Sequence, residues 1–174
     1  MNLRTETRKQ RYDNKKRIAK NYPISLCCIN FMHDGNLGYL IRSAACFGVD
    51  NIYVIGSVPD RKILNPLSGS LVDYVKITSF SNPGEFINHT NADKIRLVSA
   101  EIHECSESIF SYHFTFDKHV CLVVGHEESG IPVEILRNSE VVNIPMPGVG
   151  YCLNTSQAAN ILLYEAVKQF EGRL

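Results

Sequence analysis

The sequence lacks the features that would place it in a membrane or a secretory pathway. Its first 22 residues are polar and contain no apolar stretch of the kind found in secretory signals. The longest run without a charged residue, 141–164, contains Pro145, Pro147, Gly148 and Gly150, so it cannot cross a bilayer as one apolar helix. We therefore expect a cytoplasmic protein that does not contact a membrane.

Disulfide and metal-binding patterns are also missing. The six cysteines form no C-x-x-C pair, and His and Cys never fall at the spacing of zinc ligands, so we predict no metal site. We expect the cysteines to be small buried apolar residues of a reduced, cytosolic protein. They are Cys27, Cys28, Cys46, Cys105, Cys121 and Cys152.

Several well-known catalytic motifs are absent. The sequence has no G-x-x-x-x-G-K-[ST], no G-x-S-x-G and no H-E-x-x-H, which removes the main support for nucleotide hydrolysis, serine esterase and metalloprotease activities. Gly148 and Gly150 form a lone G-x-G that lacks the third glycine and lies late in the chain. A dinucleotide-binding fingerprint is therefore not supported.

The net charge is zero, with 18 basic and 18 acidic residues, but the charges are unevenly placed. Residues 1–22 contain eight basic and two acidic side chains, and residues 23–174 contain ten basic and 16 acidic ones. This pattern predicts a basic N-terminal arm, 1–22, followed by one acidic domain, 23–174, of ordinary globular size. Such an arm either binds a polyanion or is a disordered tail, and the composition leaves both possibilities open.

Short apolar runs alternate with helical periodicity, which indicates an α/β fold with a mostly parallel sheet. The arm could form a helix over about 6–20, although it has almost no apolar face. The predicted strands are 24–30, 52–55, 74–78, 95–100, 119–124 and 141–144. The predicted helices are 36–47, 83–89, 131–138 and 155–170.

The first candidate functional segment begins at Asn36, just after a predicted strand, and contains Arg42 six residues later. Ligands of α/β proteins bind at this edge, beyond the carboxyl ends of the strands. Because long helical side chains lean toward the helix N-terminus, we expect the Arg42 guanidinium to reach back toward loop 33–36. The alternative is a helix-capping amide and a solvated arginine.

The second segment runs from an apolar strand into a turn that contains Gly125, Glu127 and Gly130. Gly125 would let the backbone approach a ligand closely. An ordinary strand-to-helix turn is the alternative, because acids are favoured near the start of a helix.

The third segment is a loop of ten uncharged residues, 145–154, between a strand and a strongly apolar helix. Exposed loops usually carry charge, so we expect this one to be covered by protein or wrapped around a ligand. A buried structural loop is the alternative.

Together these segments resemble the three motifs of the SpoU (TrmH-like) family of the SPOUT class, which comprises S-adenosylmethionine-dependent RNA ribose 2′-O-methyltransferases. The first motif, N-x-G-x-x-x-R-x-x-x-x-F-G, matches 36–48, and the second, G-x-E-x-x-G, matches 125–130. The third, I-P-M-x-G followed by S-L-N-x-S, matches 144–148 and 152–156, with Cys152 in place of the usual Ser. Each motif is weak alone, but all three occur in order within 23–170.

The resemblance implies an α/β fold with helices on both faces of the sheet and a C-terminal trefoil knot, a topology otherwise almost absent from proteins. It implies that the knot loops bind S-adenosylmethionine, that RNA is the substrate, and that a homodimer completes the site. No metal is required. Family members that act on large ribosomal RNA often carry an additional N-terminal RNA-binding domain, and only the arm precedes residue 23 here, so we expect tRNA in preference to rRNA.

The resemblance also assigns roles to individual residues. Arg42 matches the catalytic arginine, which reaches the site of the other subunit, and Asn36 and Asn154 match the amides near the reactive centre. The residues that match the cofactor site are Gly125, Ile144, Met146, Leu153, Ala100 and Glu127, of which Glu127 is expected to be mainly architectural. The residues of the arm that we expect to contact RNA phosphates are Arg8, Lys9, Arg11, Lys15, Lys16 and Arg17.

A thiol is a poorer hydrogen-bond donor than a hydroxyl, so Cys152 could mark a weakened site. No adjacent base is apparent that would make Cys152 a nucleophile. A non-catalytic RNA-binding relative of the fold is therefore one alternative, and a different nucleotide-using α/β enzyme is another. A calorimetric titration with S-adenosylmethionine discriminates the first alternative from a methyltransferase.

Overall fold

The computed structural model describes residues 7–49 and 51–173. The first six residues of the expected arm, including Arg4, lie outside the described residues, as do Asp50 and Leu174. The described strands form one seven-stranded parallel sheet in the order β3-β2-β1-β6-β4-β7-β5. This arrangement confirms the predicted α/β class. The strands are β1 Ile24–Ile29, β2 Asn51–Ile55, β3 Lys76–Phe80, β4 Arg96–Ala100, β5 Glu107–Ser108, β6 Val120–Val124 and β7 Glu140–Asn143. The helices are α1 Arg8–Lys16, α2 Asp34–Cys46, α3 Arg61–Leu67, α4 Pro83–Ala92, α5 Val133–Leu136 and α6 Thr155–Glu171.

The two central strands, β1 and β6, are buried on both faces and read as continuous apolar runs, as is typical of parallel sheets covered by helices. Alternate residues of β1 face opposite cores. Leu26 packs with the apolar faces of α2 and α6, while Cys27 packs with α4 and α5 on the other side. The sheet therefore lies between two apolar layers that it forms with the helices on its two faces.

The register places the carboxyl ends of four strands at one edge of the sheet. Cys28 pairs with Val124, Val124 with Ala100, and Ala100 with Val142. Each strand then continues into a loop that leaves this edge. Loops at this edge form the ligand sites of open α/β sheets.

Several element boundaries differ from those predicted. The helix predicted over 131–138 is limited to α5, because Pro132 occupies its N-cap and disfavours helical geometry at the residue before it. The strand predicted over 74–78 begins at Lys76, because Val72–Tyr74 forms a 3₁₀ turn. Helix α3 and strand β5 were not predicted, because α3 is short and contains Pro66 and β5 has only two residues.

The cysteine prediction is correct for three residues and wrong for three. Cys27, Cys28 and Cys121 are buried in the sheet, whereas Cys46, Cys105 and Cys152 are exposed. The exposed cysteines lie at the end of α2, in the β4–β5 loop and in the loop before α6, where no second layer covers them. All six are free thiols.

None of the helices formed by the described residues is long and apolar enough to cross a bilayer. Within the same ranges, no group of three or more His, Cys, Asp or Glu side chains is placed to hold a metal ion.

Candidate active site

A cleft of about 440 Å³ opens at the carboxyl edge of the sheet. Its walls come from the ends of β4, β6 and β7, the loop before α6 and the first turn of α6. The six residues predicted to bind the cofactor all line this cleft: Ala100, Gly125, Glu127, Ile144, Met146 and Leu153. Asn154 and Cys152 line it as well. Thus the second and third segments, which are separate in the sequence, form one concave site.

One wall of the cleft is the tight turn after β6. His126 and Gly130 exchange two backbone hydrogen bonds of 3.0 Å, so the turn closes on itself. Gly130 has φ of +67°, which L side chains rarely adopt. A Cβ on Gly125 would lie 2.5 Å from the carbonyl carbon of Gly130. Both glycines of the second motif are therefore required by the shape of the turn.

Glu127 points from this turn toward the loop between β1 and α2. Its carboxylate accepts hydrogen bonds from the backbone N–H of Met32 at 2.9 Å, the backbone N–H of His33 at 3.3 Å and the side-chain amide of Asn36. Partial burial raises the pKa of Glu127, but the bonds from Met32, its own N–H, Asn36 and His33 outweigh burial and hold this pKa below its ordinary value. Glu127 is thus an ionised link between the first and second motifs.

Asn36 extends this link to the third motif. Its side-chain oxygen accepts a hydrogen bond of 3.0 Å from the amide of Asn154, and its own amide donates to Glu127. The side-chain oxygen of Asn154 in turn accepts from the backbone N–H of Ser156 at 2.9 Å and so caps α6. Asn36 is only 4% exposed. It does not itself line the cleft, whereas Asn154 does.

A second bond joins the same two walls of the cleft. The hydroxyl of Thr155, the first residue of α6, donates to the carbonyl oxygen of Gly125 at 2.9 Å. The start of α6 is therefore fixed to the turn after β6 directly through Thr155, and indirectly through Asn154 and Asn36. The loop that precedes α6 forms the mouth of the cleft, and Tyr151 in it is 82% exposed.

Glu101 is a cleft residue that the sequence analysis missed. It follows Ala100 at the end of β4, and its two carboxylate oxygens accept from the backbone N–H of Ile102 at 2.9 Å and of Ile131 at 3.1 Å. The signal that could have found it is its position, because an acid directly after a parallel strand lies at the ligand-binding edge. It belongs to none of the three motifs, so the motif pattern did not include it.

Arg42 lies on the exposed face of α2 and does not line the cleft of its own chain. The expectation that it reaches back toward loop 33–36 is wrong, because its guanidinium lies beside Gly69, in the turn after α3. It borders a separate surface depression of about 570 Å³, which it shares with Tyr39 and Asn154. The predicted arginine and the cleft are therefore on neighbouring surfaces that meet at Asn154.

The described part of the arm docks next to the same turn. The hydroxyl of Tyr12 on α1 donates to the carbonyl oxygen of Gly69 at 3.1 Å, and Tyr74 donates to Asp13 at 2.7 Å. This hydrogen bond to Asp13, together with partial desolvation, raises the pKa of Tyr74 to about 12. Helix α1 is thus attached to the domain on its Tyr12–Asp13 side.

The basic side chains of the arm face solvent. Among the residues that the structure describes, no ion pair involves the six that were predicted to contact RNA. Lys16 also lies over the ring of Tyr74, 5.6 Å from its centroid. The predicted residues Arg8, Lys9, Arg11, Lys15, Lys16 and Arg17 are all exposed.

Comparisons with known proteins agree with the motifs. The model of the SpoU rRNA Methylase family matches residues 23–164. The 23S rRNA (uridine(2479)-2′-O)-methyltransferase of Streptomyces viridochromogenes is 32% identical over 145 residues, which cover 78% of this chain and 49% of the relative. This chain thus spans about half the length of that relative.

Two solved structures share the fold. The TrmH/SpoU tRNA modifying enzyme of A. aeolicus superposes with a TM-score of 0.80 at 22% identity, covering 95% of this chain and 85% of the other. The SpoU methyltransferase AviRb of Streptomyces viridochromogenes, solved with the cofactor AdoMet, superposes with a TM-score of 0.76 at 26% identity. That match covers 90% of this chain and 64% of the AviRb chain.

Proposed function

Because this chain belongs to the SpoU rRNA methylase family, we propose that it binds S-adenosylmethionine in the cleft and methylates a ribose 2′-hydroxyl of RNA. The observation that carries this proposal is the convergence of residues from the second and third motifs on one cleft, with the first motif bonded to both. Relatives of the chain are named for this reaction, and a solved neighbour contains this cofactor.

The cleft suits such a cofactor in size and chemistry. Its volume of about 440 Å³ lies in the range of about 300–1,000 Å³ that is typical of small-molecule sites. Its lining combines apolar side chains, such as Ile144, Met146 and Leu153, with backbone groups beside Gly125. When bound there, the cofactor supplies a methyl group on a positively charged sulfur.

The chain itself must align the ribose and help its hydroxyl to react. A permanently charged guanidinium can hold a phosphate in bidentate fashion and stabilise negative charge that develops on the ribose oxygen. Arg42 is exposed and free to do so, and no ion pair with a described acid competes for it. Asn154 lies at the boundary between Arg42 and the cleft. A side chain at this position can help to align the ribose hydroxyl with the methyl group, and such alignment raises the reaction rate.

A homodimer accounts for two features of the single chain. Arg42 does not line its own cleft, and several large apolar side chains lie exposed near the cleft and along α6. Phe110 is 81% exposed and Tyr164 is 58% exposed. Isolated apolar side chains are ordinary, but a group of them marks an interaction surface. We expect the partner to cover this surface and to place its arginine at the cleft of the first subunit.

The choice between tRNA and rRNA stays a prediction in favour of tRNA. Named relatives and neighbours act on both kinds of RNA. The exposed basic residues of α1 and its junction fit phosphates of either kind, since such contacts carry no sequence information. The trefoil knot and the division at residue 22 likewise remain predictions of the resemblance and of the charge pattern.

The direct test is transfer of labelled methyl groups from S-adenosylmethionine to separate tRNA and rRNA fractions. We expect the modified linkage to resist alkaline cleavage, which a base methylation would not cause. Arg42→Ala should lower turnover at least about 100-fold, in line with the loss of one preorganised stabilising group. Wild-type turnover by Arg42→Ala would refute the role of Arg42, and a base-methylated product would refute the ribose assignment.

A complementation experiment tests whether the partner's arginine is used. Arg42→Ala has an intact cleft, and Ala158→Phe keeps Arg42 but fills the cleft, which Ala158 lines. Co-expression should yield mixed dimers with one complete site and restore about a quarter of wild-type activity. No recovery, with mixed dimers shown by mass spectrometry, would show that the partner's arginine does not complete the site.

A further inference from the structure

We infer that Glu101 makes the cleft select the positively charged cofactor over the neutral product that remains after methyl transfer. This inference rests on the proposed function, because it takes S-adenosylmethionine as the ligand. It concerns a residue outside the three motifs. It assigns to Glu101 a role in specificity for the cofactor.

The lining of the cleft is acidic without a matching cation. Glu101, Glu127 and Glu128 all line it, whereas no lysine or arginine does among the described residues. Within those residues, none of the three carboxylates forms an ion pair with a base. Besides the three glutamates, the titratable side chains that line the cleft are His126 and Cys152. The Nδ1 atom of His126 accepts a hydrogen bond from the backbone N–H of Glu128. The negative charge of the cleft is therefore not balanced internally.

Glu101 differs from the other two acids in how it is held. Glu127 is turned toward the β1–α2 loop and its oxygens are occupied there. Glu128 is exposed, so water and salt screen its charge. Glu101 is half-buried, and each of its oxygens accepts one backbone N–H, from Ile102 and from Ile131.

The second of these bonds fixes the position of the charge. Glu101 lies against Gly130, where a Cβ would come within 2.7 Å of its Oε2 atom. The carboxylate thus fills the space that the missing side chain of Gly130 leaves, and it spans the ends of β4 and the turn after β6. Each oxygen keeps a free lone pair, so a charged ligand can still interact with it.

The two ligands of the reaction differ by one charge. S-adenosylmethionine carries an ammonium, a sulfonium and a carboxylate, so its net charge is positive. Loss of the methyl group converts the sulfonium to a neutral thioether, and S-adenosylhomocysteine is neutral overall. A fixed carboxylate in a partly desolvated cleft binds the positively charged S-adenosylmethionine more tightly than the neutral S-adenosylhomocysteine. This difference in affinity helps the product to leave.

The test measures three ligands by calorimetry at low salt: S-adenosylmethionine, S-adenosylhomocysteine and sinefungin, which carries an amine in place of the sulfonium methyl. Glu101→Gln should weaken binding of the two positive ligands by about tenfold and that of S-adenosylhomocysteine by less than about twofold. The matched controls are Glu128→Gln, at an exposed acid of the same cleft, and Glu134→Gln, at an exposed acid on α5 outside it. Both should leave the ratio of affinities nearly unchanged.

The wild-type protein provides a second measurement that needs no variant. Raising the salt concentration should weaken the binding of S-adenosylmethionine more than the binding of S-adenosylhomocysteine. Equal losses for all three ligands in Glu101→Gln would show that Glu101 is only a structural clasp, and unchanged affinities would show that it has no role. Failure of the wild type to bind any of the three would overturn the proposed function itself.

Discussion

The cleft at the carboxyl edge of the sheet and the basic helix α1 are built on opposite principles. In the cleft, Glu101, Glu127 and Asn154 each have fixed hydrogen-bond partners, and the bonds from Glu127 through Asn36 to Asn154 join three distant segments. On α1, the basic side chains are exposed and form no ion pair with a described residue. Geometry therefore matters most in the cleft, and the number of charges matters most on the helix.

The two regions also differ in sign, which the neutral total of the chain conceals. The cleft is lined by three carboxylates and the helix carries cations toward solvent. Helix α1 meets Arg42 at the turn of Gly69, which contacts both Tyr12 of α1 and Arg42 of α2. A polyanion held by the helix would thus be led toward Arg42 and kept away from the interior of the cleft. Variants that affect one region and leave the other intact test this separation.

The largest effect should come from removing the charges of the helix. Replacing Arg8, Lys9, Arg11, Lys15, Lys16 and Arg17 together by Gln should weaken RNA binding about 100-fold near physiological salt and flatten its salt dependence. Cofactor affinity should not change. The measurement is RNA binding across a salt series, with calorimetry of the cofactor alongside.

The control for this prediction uses basic residues elsewhere. Lys76 and Lys118 lie at the amino ends of strands, the edge opposite the cleft, and both are exposed. Their joint replacement by Gln should leave RNA binding within about twofold of wild type. Equal salt slopes for the wild type and the helix variant would end the separation proposed here.

A smaller effect is expected in the cleft from Glu127→Gln. The loss of charged hydrogen bonds to Met32, His33 and Asn36 should lower the free energy of unfolding by about 2 kcal/mol at neutral pH. Cofactor affinity should fall as well, whereas RNA affinity should not. Glu134→Gln is the matched control, because that side chain is exposed on α5.

The stabilisation by Glu127 should depend on pH in a defined direction. The pKa of Glu127 is lower in the folded chain than its ordinary value, so its stabilisation is complete above that ordinary value and is lost as pH falls through the folded pKa. The stability difference between the wild type and Glu127→Gln should therefore shrink below about pH 4. A difference that stays constant through this range would show that Glu127 is not the acid that holds the site together.

The smallest effect concerns the attachment of α1. Asp13→Asn removes the charged acceptor of Tyr74, so the pKa of Tyr74 should fall from about 12 toward the ordinary value for tyrosine, and RNA affinity should fall about twofold. Because the neutral phenol is the donor, the wild-type contact is complete below the ordinary pKa and is lost as pH rises through about 12. Alkaline spectroscopic titration of Asp13→Asn checks this, with Tyr74→Phe as the blank for that phenol.

The order of strands and helices could be predicted from the sequence wherever an element was long and periodic. The apolar stripe of α2 and the apolar face of α6 are examples, because burial of one face determines both patterns. Short elements gave no such signal. Helix α3 has seven residues and contains Pro66, so neither its periodicity nor its composition marked it.

The motifs predicted which residues surround the cleft but not how Arg42 is directed. A helical pattern shows that Arg42 lies off the core face, and the packing of α3 and its following turn against α2 decides what the guanidinium meets. Glu101 shows the same limit. Its importance arises from a turn 30 residues away along the chain, which brings the N–H of Ile131 to its carboxylate.

By itself, the sequence determined the α/β class, the family, and the residues of the three segments that carry its motifs. It could do so because periodicity and motif spacing are local properties of the chain. Only the tertiary structure decided that Asn36 links Glu127 to Asn154, that Glu101 lines the cleft, and that Arg42 does not. These relations depend on the register of parallel strands and on loops that meet at one edge of the sheet, and residues far apart in the chain become neighbours only there.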